Sequence, residues 1–435
     1  MTSRRFAPLF WCQLCSALND NFLKNALVML ILYGLGGAGS GVDEQIGPML
    51  VTLAGVVFIA PFFILSALGG ELADRFDKAE VAAKIKLVEI PIAGLAAVGF
   101  VLHSVTILFV TLGLFGIVAA LFGPVKYGIL PEKLKTGELP AGNALVEGAT
   151  FLAILFGTIA GGIAVKSART PELVVLVILA LAVASWLFAR AIPAAGPAAP
   201  TLVVTRNLWT STVALLQDLK KDARLWSGGH IVSWFWLVGS VVLSLLTAVV
   251  KDDIGGSEDV VTLGLATFVV GIAVGSWVAA GASHGTPNLA LVPLGAALMA
   301  LFALVIALVA GLMSPGAERI GAYAFLGTAA GISFQVALCG LAVAGGLFIE
   351  PAVAAVQAWS PPEARARVIA SVNVLNAAYM VGGGAAVAAL QALGVTAAPL
   401  FAALGVLSLG AMIYVRRAWD AHGARGSAVN ATEAS

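Results

Sequence analysis

Charge is what this sequence has least of. Lys and Arg number 24 and Asp and Glu 23 among 435 residues, so charged side chains make up 11% of the chain, where a soluble domain carries roughly a quarter. That scarcity excludes an ordinary soluble domain. A net charge of +1 says nothing about nucleic acid, since only where the charges sit can inform, and none is expected as a partner. Cysteine is equally scarce, at three. Cys12 and Cys15 form a C-x-x-C, but inside an apolar run and without a second ligand pair, so neither a disulfide framework nor a metal site is implied. No metal-ligand spacing, phosphate loop or paired nucleophile and base is present, which argues against an enzyme and against a cofactor.

What is present in quantity is apolar. Hydrophobic residues make up 60% of the chain, with 49 Gly and 18 Pro besides. A membrane-crossing helix needs about 20 apolar residues. Apolar runs between breakers predict twelve spans, at about 8–35, 47–72, 80–102, 105–129, 141–165, 172–192, 225–250, 260–282, 289–312, 333–358, 368–392 and 396–415. The fold class expected is an all-α polytopic membrane protein with twelve transmembrane helices. Residues 313–332 read as a loop with a short interfacial segment. Arg4 and Arg5 precede an apolar run that carries Asn19, Asp20, Asn21, Lys24 and Asn25 and lacks a small-residue cleavage site, so the run reads as a retained first span.

Most basic residues collect on one side of this arrangement, among them Arg75, Lys78, Lys84, Lys86, Lys126, Lys133, Lys220, Arg365, Arg416 and Arg417. The positive-inside rule then expects both termini in the cytoplasm, which requires an even number of spans. The chain divides into a six-helix half at 1–192, a cytoplasmic linker at 193–224, a second six-helix half at 225–415 and a polar cytoplasmic tail at 416–435. The linker holds Pro193, Pro197 and Pro200. From Asn207 to Trp226 it reads as an amphipathic helix in the headgroup region.

The halves echo each other. Gly123-Pro124 late in the fourth span matches Glu350-Pro351 late in the tenth, a proline-bearing loop follows each, and Asn143 and Asn373 come next. Two such pseudo-symmetric six-helix halves, in parallel, are the architecture of the major facilitator fold. Gly70-Glu71-Leu72-Ala73-Asp74-Arg75-Phe76-Asp77-Lys78 resembles the loop motif between spans 2 and 3 of the major facilitator superfamily, departing at Asp77, where that family has glycine. The resemblance implies a gate. Asp74 would cap or pair with a neighbouring helix in one state, with Gly70, Arg75 and Lys78 completing it.

Three further stretches, LNDNFLKNAL from Leu18, FGPVKYGILPE from Phe122 and NALVEGATFLAILFGTIAGG from Asn143, resemble the bacterial lysophospholipid transporter family. They are most similar to the branch fused to an acyltransferase and an acyl-acyl-carrier-protein synthetase. The second half matches more weakly, through GGLFIEP at 345–351 and SWFW at 233–236. Since the sequence ends on Ala421 to Ser435, no fused enzyme is expected, and a separate cytoplasmic acyltransferase is the implied partner. The resemblance implies a monomer in the bacterial inner membrane that moves lysophospholipid, chiefly lysophosphatidylethanolamine, to the cytoplasmic leaflet. A proton- or sodium-coupled carrier of another small amphiphile or drug is the alternative.

Ionisable residues inside spans are costly in lipid and mark the default site. On the first span Gln13, Ser16, Asp20 and Lys24 share one face, flanked by Asn21 and Asn25. Asp20 and Lys24 stand at i, i+4, so a mutual ion pair is the competing reading. Lys126 and Glu147 fall at similar depth on successive spans and can pair. Glu350 is a further candidate partner for Lys126. A zwitterionic headgroup needs a cation near its phosphate and a carboxylate near its ammonium; Lys126 with Asp20, Glu147 or Glu350 supplies both. The alternative for Lys126 is an inside gate. Trp234, one turn from His230, could face an acyl chain, while Glu89 is expected to pair with the basic cluster at Lys86. Asn373, Asn376 and Tyr379 line a path or pack helices. A coupling ion, proton or sodium, could use the same carboxylates.

Overall fold

Helix-forming runs between glycine, proline and charge produce a chain that is helical almost throughout. The computed structural model describes residues 4–33, 47–167, 171–283, 287–313 and 318–433. Arg169, residues 314–317 of the interfacial stretch and the last two residues of the tail lie outside them. The helices are α1 (Ala7–Tyr33), α2 (Gly47–Arg75), α3 (Lys78–Val101), α4 (Val105–Lys133), α5 (Leu139–Ser167), α6 (Glu172–Arg190), α7 (Leu208–Lys221), α8 (Ala223–Ala248), α9 (Glu258–Ala282), α10 (Leu291–Leu312), α11 (Ala322–Leu326), α12 (Ala329–Trp359), α13 (Arg365–Ala392) and α14 (Ala397–Glu433). Ten of these are long and apolar enough to cross a membrane. Two others, α1 and α3, have the length at 27 and 24 residues. They carry Asp20 and Lys24, and Lys86 and Glu89, so the helices richest in internal charge are the ones composition alone does not mark.

The chain forms two compact units, residues 1–219 with 360–377, and residues 220–359 with 378–435. In the first, α1 packs on α5 and α6, α2 on α4, and α3 on α4 and α6. In the second, α8 packs on α12 and α14, α9 on α12, and α10 on α12 and α14. The pairings of α2 with α4 and of α3 with α4 and α6 thus recur as α9 with α12 and α10 with α12 and α14, in line with the duplication read from Gly123-Pro124 and Glu350-Pro351. Close approach of α5 to α1 depends on small residues. A Cβ on Gly157 would stand 2.8 Å from the Leu18 carbonyl oxygen, and one on Gly161 would stand 2.5 Å from that of Phe22. This contact fixes the polar face of α1 against α5.

Three features differ from the sequence reading. Proline 131 does not end the fourth helix. It removes one donor, but the Leu134 N–H still reaches the Leu130 carbonyl at 2.9 Å and α4 runs to Lys133. The stretch from Arg416 is not a separate tail, since α14 continues to Glu433 through a proline-free, alanine-rich segment. The first half does not end at 192, because the linker, α7 and the first part of α13 all group with it.

Carboxylates of the span 2–3 segment hold those additions. Glu71 accepts from the Thr205 N–H at 2.7 Å and from Ser211 Oγ at 2.5 Å. The Asp74 carbonyl accepts from the Ala199 N–H at 2.7 Å. Asp77 caps α3 through Ala79 and also accepts from the Ala195 and Gly196 N–H groups at 2.7 and 2.5 Å. The departure from glycine at 77 therefore has a use in this chain. Helix α7 buries Ser211, Thr212, Leu215 and Leu219 against this unit and leaves Trp209 exposed.

Candidate functional site

In the first unit, α1 brings its polar face to α3, α4 and α5. Gln13 Nε2 donates to Thr150 Oγ1 at 2.9 Å, and Asn25 Nδ2 donates to the Thr158 carbonyl, both on α5. Asn21 Nδ2 bonds its own helix at the Ala17 carbonyl, 2.8 Å. Asn19, a neighbour of the stripe, is buried and donates to the Ile178 carbonyl of α6 at 3.2 Å. The asparagines therefore act largely as helix fasteners.

Asp20 and Lys24 are half-buried on the same face. Among the described residues no ion pair joins them, although the Asp20 charge acts on Lys24 through space. Oδ1 of Asp20 is buried and has no hydrogen-bond partner among the described residues. The local ion pair, the alternative read from the i, i+4 spacing, is not the arrangement found.

Lys126 and Glu147 also differ from a simple pair. Tyr127 donates its hydroxyl to Glu147 Oε1, leaving Oε2 buried without a partner among the described residues. The Lys126 ammonium lies 4.7 Å from the Tyr127 ring centroid and feels Glu147, Lys86 and Asp20 electrostatically. The sequence reading missed Tyr127; the adjacent Lys126 drew attention to charge, while the phenol is the group that reaches the carboxylate.

Lys86 was read as an inside-end marker. It is instead fully buried: its Nζ donates to Ser16 Oγ at 2.5 Å and to Glu89 Oε2 at 2.7 Å, and lies 4.3 Å from the Phe122 ring centroid. Glu89 is buried with it, its second oxygen Oε1 unpartnered. The pairing expected of Glu89 is present, at greater burial than its sequence position suggested. Asp20, Lys24, Lys86, Glu89, Lys126 and Glu147 form one electrostatic neighbourhood. It can offer ammonium to an anion and carboxylate oxygen to a cation.

At the motif, Asp74 is fully buried and caps α13. Its Oδ1 accepts from the Ala366 N–H at 3.1 Å; its Oδ2 accepts from the Arg367 N–H at 3.1 Å and from Arg367 Nε at 3.2 Å. Lys78 Nζ stands 3.8 Å from Asp74 and donates to Glu132 at 2.6 Å. Gly70 is needed for contact, since a Cβ there would fall 2.7 Å from that of Ala370. Arg75 lies over Phe76 instead, 5.3 Å from the ring centroid.

In the second unit, Glu350 is buried on α12 and neither carboxyl oxygen has a partner among the described residues. Trp234 Nε1 is buried without a partner as well. His230 is tied to Tyr379, Nδ1 to hydroxyl at 2.8 Å, and stacks edge-on with Trp226. Asn373, which groups with the first unit, lies against Gly123, where a Cβ would meet its Nδ2 at 2.8 Å. No group of three or more His, Cys, Asp or Glu suited to a metal occurs among the described residues.

Residues 9–339 match the family profile of the Major Facilitator Superfamily. Among curated proteins, the lysophospholipid transporters LplT of Serratia proteamaculans (strain 568) and Yersinia pestis (strain Pestoides F) are each 31% identical, over 291 and 287 residues. The alignments take in 64% of this chain and 66% and 65% of those proteins, so the chain spans just under two thirds of the length of the curated relatives it matches. Among solved structures, the human organic anion transporter MFSD10 (TETRAN) superposes with a TM-score of 0.76 at 17% identity, covering 95% of this chain and 99% of that one.

Proposed function

Because the chain belongs to the Major Facilitator Superfamily, we propose that it moves lysophospholipid, of lysophosphatidylethanolamine type, between leaflets of the bacterial inner membrane by alternating access. The similarity to proteins named lysophospholipid transporters supports the substrate class. The observation that carries the reading is the set of both-sign groups within the first unit's membrane helices, with buried oxygens of Asp20 and Glu147 lacking partners among the described residues. Such oxygens are expensive to leave unmet in hydrocarbon. A zwitterionic headgroup meets them one for one, its phosphate toward Lys126 or Lys24 and its ammonium toward Asp20 or Glu147. Asn25 ties α1 to α5 so that Asp20 and Lys24 keep this orientation, and Asn21, beside Asp20, presents its amide to the same substrate.

Glu350, also unpartnered, is a second carboxylate for substrate, and Trp234 an aromatic face for the acyl chain. Gly70, Asp74, Arg75 and Lys78 act as the gate. Both termini lie in the cytoplasm, the chain works as a monomer, and a separate acyltransferase consumes the delivered lipid. A proton or sodium ion, if one drives the cycle, uses the same carboxylates.

Purified protein in liposomes should move labelled lysophosphatidylethanolamine between leaflets. Lys126→Ala and Asp20→Asn should each slow this at least about tenfold with unchanged expression, the loss of one charge-assisted contact of roughly 1.5–3 kcal/mol. Full-rate flipping in both variants would remove the site assignment. A wild-type protein that moves no lysolipid would favour the other carrier reading, a coupled transporter of a different amphiphile.

A further inference from the structure

Lys86 and Glu89 lie in the charged neighbourhood as a mutual ion pair, 2.7 Å apart with both side chains fully buried. Lys86 is already satisfied by Ser16, Glu89 and the Phe122 ring. Two of its three contacts are one helical turn from a proposed headgroup contact, Ser16 from Asp20 on α1 and Phe122 from Lys126 on α4. A buried ion pair adds little stability over apolar residues of the same volume. Inside membrane helices its retention calls for another explanation. Asp20 feels Glu89, Lys86, Lys24 and Lys126, and Lys126 feels Glu147, Lys86 and Asp20. The six groups carry three formal positive and three formal negative charges, so the neighbourhood is neutral as a whole.

We propose that the Lys86–Glu89 pair determines headgroup charge preference, holding the site neutral so that it favours a zwitterionic over an anionic lysophospholipid. The proposal rests on the lysophospholipid reading and refines it. The pair acts through its field, not by contact. Removing Glu89 alone leaves the neighbourhood one charge positive and favours an anionic headgroup; removing Lys86 alone does the reverse. Ser16 and Asp20 are separated by a rise of about 6 Å, which puts the pair roughly 6–12 Å from the bound headgroup. At an effective dielectric near 20, one unit charge at that distance changes relative binding by about tenfold or more.

The test is the ratio of flipping rates for lysophosphatidylglycerol and lysophosphatidylethanolamine in the same proteoliposomes, which does not depend on how much protein folds. Glu89→Gln should raise the ratio about tenfold over wild type and Lys86→Met should lower it by a similar factor. The double variant Lys86→Met/Glu89→Gln should return it to within about threefold of wild type. If Lys86→Met does not accumulate, the rise in Glu89→Gln and its reversal in the double variant decide the matter. Slowing of both lipids by the same factor in Glu89→Gln, with the ratio unchanged, would leave a packing role only and overturn the proposal. A wild-type protein that moves neither lipid would overturn the underlying reading and this refinement with it.

Discussion

Replacing Asp74 with Asn tests the cap on α13 directly. The carboxylate accepts two backbone N–H groups, from Ala366 and Arg367, and the Arg367 guanidinium, while being fully buried itself. Asparagine keeps one acceptor and turns an NH2 toward the remaining donors. The variant loses about two charge-assisted hydrogen bonds, each worth roughly 1.5–3 kcal/mol, and regains part of that because no buried carboxylate has to be desolvated. A net cost of about 2 kcal/mol corresponds to about a thirtyfold shift away from the capped state. Ser371 reports on that state: it is buried, and its hydroxyl donates to the Leu215 carbonyl at 3.2 Å and to the Arg367 carbonyl at 3.0 Å. With Cys12, Cys15 and Cys339 replaced by Ala, a Ser371→Cys thiol should react with a water-soluble maleimide about ten- to thirtyfold faster when Asp74→Asn is added. A labelling rate within about twofold of the parent, in a variant that still inserts in the membrane, would refute the reasoning.

Other consequences can be checked separately. Gly161→Val puts a Cβ 2.5 Å from the Phe22 carbonyl oxygen and should cost about 1–3 kcal/mol or more, seen as a lower melting temperature in detergent, with Gly94→Val, whose Cβ would meet nothing within 4 Å, as the control. Tyr127→Phe leaves Glu147 without its hydroxyl donor and should destabilise by about 1–3 kcal/mol, an effect that Glu147→Gln should partly relieve in a thermal unfolding assay. Partial burial raises the Asp77 carboxyl, but the N–H groups of Gly196, Ala195, Glu80 and Ala79 outweigh it and hold the group below its ordinary value of 3.8. Its contribution is therefore complete above that value and lost as pH falls through the lower, folded-state one. Protection of the Ala195 and Gly196 amides from hydrogen exchange should be lost as pH falls through this acidic window in the native chain, with no such step in Asp77→Asn.

Elements were far more legible in the sequence than the partners of individual groups. Apolar runs located the long helices because lipid-crossing segments leave a strong compositional trace, and Leu208, Val213, Leu216 and Leu219 among polar residues marked α7, although the leucine that packs inward beside Leu219 is Leu215. The periodicity of α1 correctly placed Gln13, Ser16 and Asp20 on one face. It could not say that the Lys86 ammonium would be the group meeting Ser16, since helical spacing gives a face and leaves the neighbouring helix open. Counting Lys86 as an inside marker followed from its place near the start of α3, where Lys84, two residues earlier, is exposed and bound to Glu80. Two lysines so close in sequence differ completely in surroundings. Tyr127 was hidden for a similar reason: a phenol in an apolar run carries no compositional warning that its hydroxyl will meet a carboxylate.

Residues 193–207 look like slack rope in the sequence, with three prolines and a glycine between helices. In the structure they are stitched down at Ala195, Gly196, Ala199 and Thr205 by Glu71, Asp74 and Asp77. Chain fastened at that many points has almost no free contour to give. Lengthening it with a few inserted residues should be absorbed as a bulge between stitches, whereas shortening it must pull one out, and the stitch lost would belong to the same acidic triplet whose middle member, Asp74, caps α13. Deletions and insertions of equal size in this segment are therefore not equivalent edits.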